Sequence, residues 1–378
     1  MGNQVLQILF ERVENVPREF EENNERYRAM SEACSRYNLT PTRVEIPNPS
    51  LPLVVWGTSK KWVESVFKQY KGMHLIFKGN PAVYAEHRAC IIGENTAGEI
   101  EKILTYLTKA NRKRIALLAT NRVHFDSMYY VRTFLAKAEE MGISISEDDV
   151  FWDSGENESD PHKPGMPVES YNKFYQVHHQ YDAVICYNTH SAIFFCSRAK
   201  GDGIRVPEDI YLIGRGDLQI ADAVNPSITT ISRNEEEVGQ QIVKLYRYLL
   251  SNPYVESANV LLDCRITPRK STDFFRDETE MTFAEDAFLK QKQVPSAIYH
   301  EIGMIEFMIK NSTKMDIRIL DGIRQGMSRE KLAVQEFTTL STVHYRMKRM
   351  LRLADVDTKE ELFALLDKYS IDISTFMH

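Results

Sequence analysis

Several short patterns in the chain open like reactive motifs and stop short. Gly214-Arg215-Gly216 begins the Gly-x-Gly-x-x-Gly turn that brings backbone amides onto a pyrophosphate, but the third glycine position is Gln219. His300-Glu301 begins the His-Glu-x-x-His pair that holds zinc on one helix face, but its last position is Met304. Neither Gly-x-x-x-x-Gly-Lys-Ser/Thr nor Gly-x-Ser-x-Gly occurs. His178-His179 is a lone pair and reads as an exposed helix end, and Arg215-Gly216-Asp217 reads as a chance cell-adhesion tripeptide. Cys34, Cys90, Cys186, Cys196 and Cys264 form no Cys-x-x-Cys pair and mostly sit beside apolar residues. They read as small buried hydrophobes, not as a zinc site or disulfide framework. With no catalytic set, metal site or cofactor motif left, the chain is expected not to be an enzyme.

What remains is binding chemistry. Asn188 follows a strand predicted over 183–187, and Asp217 follows one over 210–213. Phe125, Asp126 and Tyr129 lie on the loop and helix start that follow the strand 115–119, and Arg132 lies within that helix. In an open parallel sheet, small ligands bind beyond the carboxyl ends of the strands, which makes these six the candidate ligand residues. Arg132 can fork onto hydroxyls or a carboxylate, and a surface helix arginine fits the pattern equally well. An aromatic at this edge can stack on a ligand ring or pack in the core. A second set lies on the helix predicted over Leu340–Leu353. Val343, Met347, Met350 and Leu351 form its apolar face, and His344, Tyr345, Arg346, Lys348, Arg349 and Arg352 its outward face.

The elements that must hold these residues follow a regular alternation. Residues 1–275 give strands at 5–10, 53–56, 75–77, 115–119, 150–152, 183–187, 210–213 and 259–263. Helical spacing covers 24–37, 60–70, 97–109, 128–141, 171–179, 191–200 and 236–250. Strands alternating with helices predict βαβ units and parallel sheets. Acidic, irregular sequence at 273–286 marks a boundary, and a connecting helix runs from Pro295-Ser296 to Lys310. Its Ile298, Ile302, Ile305 and Ile309 fit either a helix packed on a neighbouring domain or a dimer seam. The expected division is 1–275, a linker and helix over 276–310, and a helical block over 311–378. At 378 residues and 43% hydrophobic the chain can bury more than one core, and its net charge of −6 confines any nucleic-acid contact to a local basic patch. The start, Met-Gly-Asn-Gln-Val-Leu, has no basic region followed by an apolar run, and Leu6 breaks the myristoylation pattern. No stretch is apolar enough to span a bilayer, so a cytoplasmic protein without a membrane partner is expected.

The stretch Tyr181–Asp217 resembles the effector-binding domain of the lac repressor family, a type I periplasmic-binding-protein fold. Asn188, Gly203, Val206-Pro207-Glu208-Asp209-Ile210 and Gly214 match its Asn-Asp, Gly-x-x-Val-Pro-x-Asp-Ile and Gly-Phe-Asp-Asp elements. Pro226-Ser227-Ile228-Thr229-Thr230-Ile231, Gly239 and Arg269-Lys270-Ser271-Thr272 continue the match, and Glu94-Asn95, Gly98 and residues 111–116 precede it. The resemblance covers 70–272 by motif and 1–69 by pattern. It implies an α/β protein of two lobes closing on a small molecule, with Arg132 as the pocket arginine. Thr189, Arg215-Gly216 and Glu94 depart from the family at Asn-Asp, Phe-Asp-Asp and Asp-Asn, so a plain sugar does not follow.

Thr313–Tyr369 resembles the LuxR/NarL type of helix-turn-helix. Thr313 and Asp316 fill its opening, Gly326, Ser328, Leu332 and Ala333 its middle, and Thr342-Val343 the start of its recognition helix. Thr358 and Glu361 form a capping box for a last helix. Glu336 stands where that family has Leu, with Phe337 next, a departure that falls at the turn. The resemblance implies phosphate contacts from Lys331, Arg346, Lys348, Arg349 and Arg352, and base contacts from Ser341, His344 and Tyr345. The expectation is a ligand-responsive transcription regulator, a homodimer that binds operator DNA and a small-molecule, sugar-like or other effector. The alternative is a small-molecule sensor whose C-terminal helices contact a protein partner and never touch DNA. The lac repressor family carries its DNA-binding headpiece before the sensor. Here residue 5 already starts the first strand, so the DNA-reading part is expected at the other end.

Overall fold

The computed structural model describes residues 4–11, 25–57, 60–81, 84, 89–120, 122, 125–153, 167–216, 218–272 and 296–377. Strands β1 (Gln4–Phe10), β2 (Leu39–Arg43), β3 (Leu53–Trp56), β4 (Leu75–Lys78) and β5 (Ala89–Glu94) build a first sheet. Strands β6 (Ile115–Ala119), β7 (Val150–Trp152), β8 (Ala183–Cys186), β9 (Tyr211–Arg215) and β10 (Thr229–Ser232) build a second. The chain then adds β11 (Asn259–Leu262) to the first sheet and β12 (Arg265–Thr267) to the second. The orders are β11-β5-β4-β3-β1-β2 and β12-β10-β9-β8-β6-β7. The strand registers run parallel, from Gln7 opposite Leu53 in one sheet to Ile115 opposite Ala183 in the other. Parallel strands covered on both faces need continuous apolar runs, and β6 (IALLA) and β8 (AVIC) are buried at every residue. This is the α/β, two-sheet architecture that the alternating pattern predicts.

The chain forms two compact units, residues 1–101 with 233–265, and residues 102–232 with 266–378. Helices of the described residues are α1 (Glu25–Arg36), α2 (Lys60–Gln69), α3 (Thr96–Lys109), α4 (Phe125–Glu140), α5 (Pro167–Tyr175), α6 (Thr189–Gly201), α7 (Ile220–Ala223) and α8 (Glu235–Ser251). After them come α9 (Ser296–Lys310), α10 (Lys314–Arg324), α11 (Arg329–Gln335), α12 (Leu340–Leu353) and α13 (Lys359–Lys368). In the first unit Leu6, Ile8, Ile76 and Ile92 pack with Met30 of α1 and Val238, Ile242 and Tyr246 of α8. Leu53, Val55, Phe77 and Ile91 pack with Val63, Val66 and Phe67 of α2. Gly239 lets α1 and α8 meet, since a Cβ there would lie 2.3 Å from the Arg26 carbonyl oxygen.

In the second unit the C-terminal helices are not a detached block. Leu118, Phe174 and Phe195 of the lobe share one core with Ile298, Ile302, Ile305 and Ile309 of α9 and with Val343, Met347, Leu366 and Tyr369. The isoleucine seam of α9 is therefore buried within the chain, which corrects the dimer-seam alternative and favours packing on a neighbour. Helix α6 is apolar on nearly every side because it lies inside this shared core. Backbone bonds reinforce the join, with Asn225 N donating to Ser370 O (3.1 Å) and Asp372 N to Ala223 O (2.7 Å). The expected boundary segment 273–286 lies outside the described residues.

Candidate functional site

At the carboxyl edge of the second sheet, Asn188 stands two residues beyond β8 and caps α6, its Oδ1 accepting from Ser191 N at 2.8 Å. Its Nδ2 donates to the Tyr299 hydroxyl of α9 at 3.3 Å, and Ser191 Oγ lies 3.0 Å from the same hydroxyl. The His190 and Tyr299 rings are 5.4 Å apart. Burial, with Asp153 and Cys186 nearby, pushes the Tyr299 phenol up to about 12, and burial lowers His190 to about 4. Both are neutral near pH 7. Asp153, just beyond β7, is buried and accepts from Ser170 N at 2.8 Å. Burial raises its carboxyl to about 7. Arg215, the last residue of β9, lies over Tyr130 at 4.0 Å and Tyr187 at 5.0 Å and donates to Tyr187 O at 3.4 Å.

Of the other candidate ligand residues, Phe125 and Asp126 open α4, with Asp126 exposed; Tyr129 is half-buried and Arg132 is exposed further along the same helix. Asp217 lies outside the described residues. Sequence reasoning missed Arg215 and Tyr299. Arg215 carried a signal, since it ends a strand where the resembled family has an apolar ring. Tyr299 carried none, because its partners are more than a hundred residues away.

The strand ends of the first unit form a second cluster that sequence reasoning did not single out. Trp56 ends β3, with Phe10 at 5.7 Å, Tyr27 at 5.8 Å and the Arg26 guanidinium 5.0 Å above it. Lys78 ends β4 and bonds Glu235 at 3.0 Å, which also takes Arg26 Nε at 2.8 Å. Arg233 bridges Glu94 and Glu235. Burial, then Arg26 and Arg233, lower the Lys78 ammonium to about 7. Burial alone would raise Glu235, but Lys78, Arg26 and Arg233 hold it well below the usual carboxylate range.

The helical segment sets α10, α11 and α12 in succession, with a tight turn between α11 and α12. Thr313 and Asp316 form a reciprocal capping box for α10. Gly322 lets α11 approach, since a Cβ there would meet Leu332 Cδ2 at 2.4 Å. The α11 C-terminus closes as a Schellman turn, with Thr338 N on Ala333 O (2.9 Å) and Phe337 N on Val334 O (3.2 Å). Phe337 takes the left-handed position at φ +49° and is 99% exposed. Glu336 is buried and receives a forked bond from Arg318, Nε to Oε1 at 2.9 Å and Nη2 to Oε2 at 2.7 Å. An ion pair thus fills the place of the resembled family's Leu, and Val343 still reaches the core in phase. The α13 cap differs slightly from the expected box: Thr358 Oγ1 accepts from Glu361 N, but Glu361 Oε2 accepts from Asp357 N.

On α12, Ser341, His344, Tyr345, Lys348 and Arg352 are exposed, and Lys331 is exposed on α11. Arg346 and Arg349 turn sideways. Arg346 Nη1 donates to Asp316 Oδ1 at 2.8 Å, and Arg349 donates to Asp316 Oδ2 (3.3 Å) and Asn311 O (2.7 Å). Burial would raise the Asp316 carboxyl, but bonds from Thr313 and Arg346 hold it below its usual range. Among the described residues no group of three or more His, Cys, Asp or Glu is placed to hold a metal, and no helix is long and apolar enough to cross a membrane.

Residues 104–272 match the family model of the periplasmic binding protein-like domain. The repressor CytR of Escherichia coli K12 is 32% identical over 90 residues, which cover 24% of this chain and 26% of CytR. The repressor PurR of Vibrio cholerae M66-2 is 26% identical over 140 residues, 37% of this chain and 40% of PurR. The chain thus matches less than half the length of these relatives. A solved transcriptional regulator CelR–cellobiose complex superposes with a TM-score of 0.55 at 14% identity, covering 71% of this chain and 85% of that one. A LacI-family regulatory protein from Chloroflexus aggregans gives 0.53 at 12% identity, covering 71% and 98%. The chain therefore has the type I periplasmic-binding-protein-like fold seen in LacI-family regulators, with additional C-terminal helices.

Proposed function

We propose that this chain is a ligand-responsive transcription regulator in which a small effector controls DNA binding by a C-terminal helix-turn-helix of the LuxR/NarL type. The observation that carries the reading is α12: a helix behind a tight turn whose exposed face is Ser341, His344, Tyr345, Lys348 and Arg352, over an apolar face that is buried. Lys331, Lys348 and Arg352 would contact phosphates, and Ser341, His344 and Tyr345 base edges. Arg346 and Arg349 act mainly by fixing α12 against Asp316. The effector, sugar-like or other, is held at strand ends by Asn188, with Phe125, Asp126, Tyr129, Arg132 and Asp217 as its other candidate contacts, and turnover plays no part. The chain works in the cytoplasm as a homodimer on paired half-sites. The naming of CytR and PurR as repressors and the cellobiose held by CelR support the same class.

A second reading has its own support. Val334 and Phe337 are 78% and 99% exposed beside the half-exposed Leu340, an apolar patch suited to a protein partner. Selection of a random duplex pool on the purified full chain separates the two. Recovery of a shared sequence favours the regulator, and an empty pool favours the protein-binding sensor.

A further inference from the structure

Helix α9 touches the strand-end edge of its lobe, α12 and the end of α13. Toward the lobe, the Tyr299 hydroxyl meets Asn188 and Ser191, and Glu306 accepts from Gln219 N at 2.9 Å and Ile220 N at 2.8 Å, capping α7. Toward the helices, His300 Nε2 lies 2.9 Å from the Asp355 carboxylate just beyond α12. Glu301 Oε2 accepts from Lys368 Nζ at 2.5 Å and from the Tyr369 hydroxyl at 2.6 Å, at the end of α13. At the far end Asn311 O accepts from Arg349 of α12 at 2.7 Å. The isoleucines between these polar contacts are buried on the shared core, so α9 is clamped along its length.

We propose that α9 carries the state of the strand-end site to α12, with the Tyr299 hydroxyl as its contact on that site. This rests on the effector role proposed for Asn188. The asparagine amide has its oxygen committed to the α6 cap and one donor to Tyr299. An effector that takes the remaining N–H of this amide, or draws on its oxygen, pulls on the amide and re-aims the bond to Tyr299. A helix cannot absorb that displacement locally: its residues rise about 1.5 Å each as a hydrogen-bonded rod, so movement at Tyr299 reaches Asn311, about 18 Å along. There it meets Arg349 and thereby the recognition helix.

Hydrogen exchange on the full chain tests this. Tyr299→Phe keeps the ring beside His190 and deletes only the hydroxyl; Ser191→Ala deletes the other partner and leaves the α6 cap on the Ser191 backbone intact. Exchange in peptides covering 340–353 is expected to speed by about fivefold in Ser191→Ala, the size expected from one lost hydrogen bond, and by more in Tyr299→Phe, which loses two. A role confined to local structure would change only peptides near 188–195 and 296–305. Unchanged exchange over 340–353 in both variants overturns the proposal, and if Tyr299→Phe does not fold, Ser191→Ala decides. The readout needs no DNA. A wild-type chain that retains no duplex would sink the regulatory reading while leaving the exchange result to judge α9.

Discussion

Asp316 shows how much one carboxylate can organise. It is fully buried, completes the α10 capping box by accepting from Thr313 N, and receives both Arg346 and Arg349. Asp316→Ala should cost about 2–3 kcal/mol, since it removes the side-chain half of the capping box and strips two arginines that still reach water of their partner. Denaturant unfolding checks the value, and a loss below about 1 kcal/mol would mean the arginines find other partners. Asp153 makes a pH-dependent prediction. Its carboxyl titrates near 7 in the folded chain against about 4 when unfolded, so between those pH values the folded chain holds the extra proton. Its contribution to stability therefore falls as pH rises from about 4 to 7. In Asp153→Asn, which can still accept from Ser170 N, melting should vary less over that window and lie higher than wild type at pH 8. Such roles were only partly legible. Asn188 could be placed because it follows a strand, whereas the basic residues of α12 could not be sorted until Asp316 drew two of them aside.

Among the elements, α12 was legible to the residue because its amphipathic period is regular and Thr339 caps it. Strand β2 was not, because Leu-Thr-Pro-Thr-Arg carries Pro41; its place at the sheet edge, opposite Leu6, tolerates the missing donor. Strand β12, three residues long with none fully buried, leaves no pattern to read. The turn before α12 is the element with the clearest strain. Phe337 holds a left-handed conformation that costs a side-chain residue about 1 kcal/mol and packs on nothing, being almost wholly exposed. Phe337→Gly should raise the unfolding free energy by up to about 1 kcal/mol and leave α12 in place. A loss of stability instead would mean that the ring makes contacts in solution.

For the whole molecule, the two parallel sheets were legible from alternation and the C-terminal helices from their own pattern, but their shared core was not. Burial of α9 on α6 joins side chains more than a hundred residues apart, and no local period encodes it. Ile305 sits in that core with no exposed surface. Ile305→Ala should cost about 2–4 kcal/mol and lower the melting of lobe and helices together. Separate transitions, followed by exchange in 183–215 and 340–369, would show instead that the helices fold on their own.

The central claim is that the exposed face of α12 reads DNA. Its most direct test is fluorescence anisotropy of the full chain on a selected duplex, titrated with salt. Binding should weaken linearly in log–log form, and Lys348→Ala and Arg352→Ala should each reduce the slope by about one. Slopes identical to wild type in both variants, or no binding to any duplex at low salt, would contradict the account.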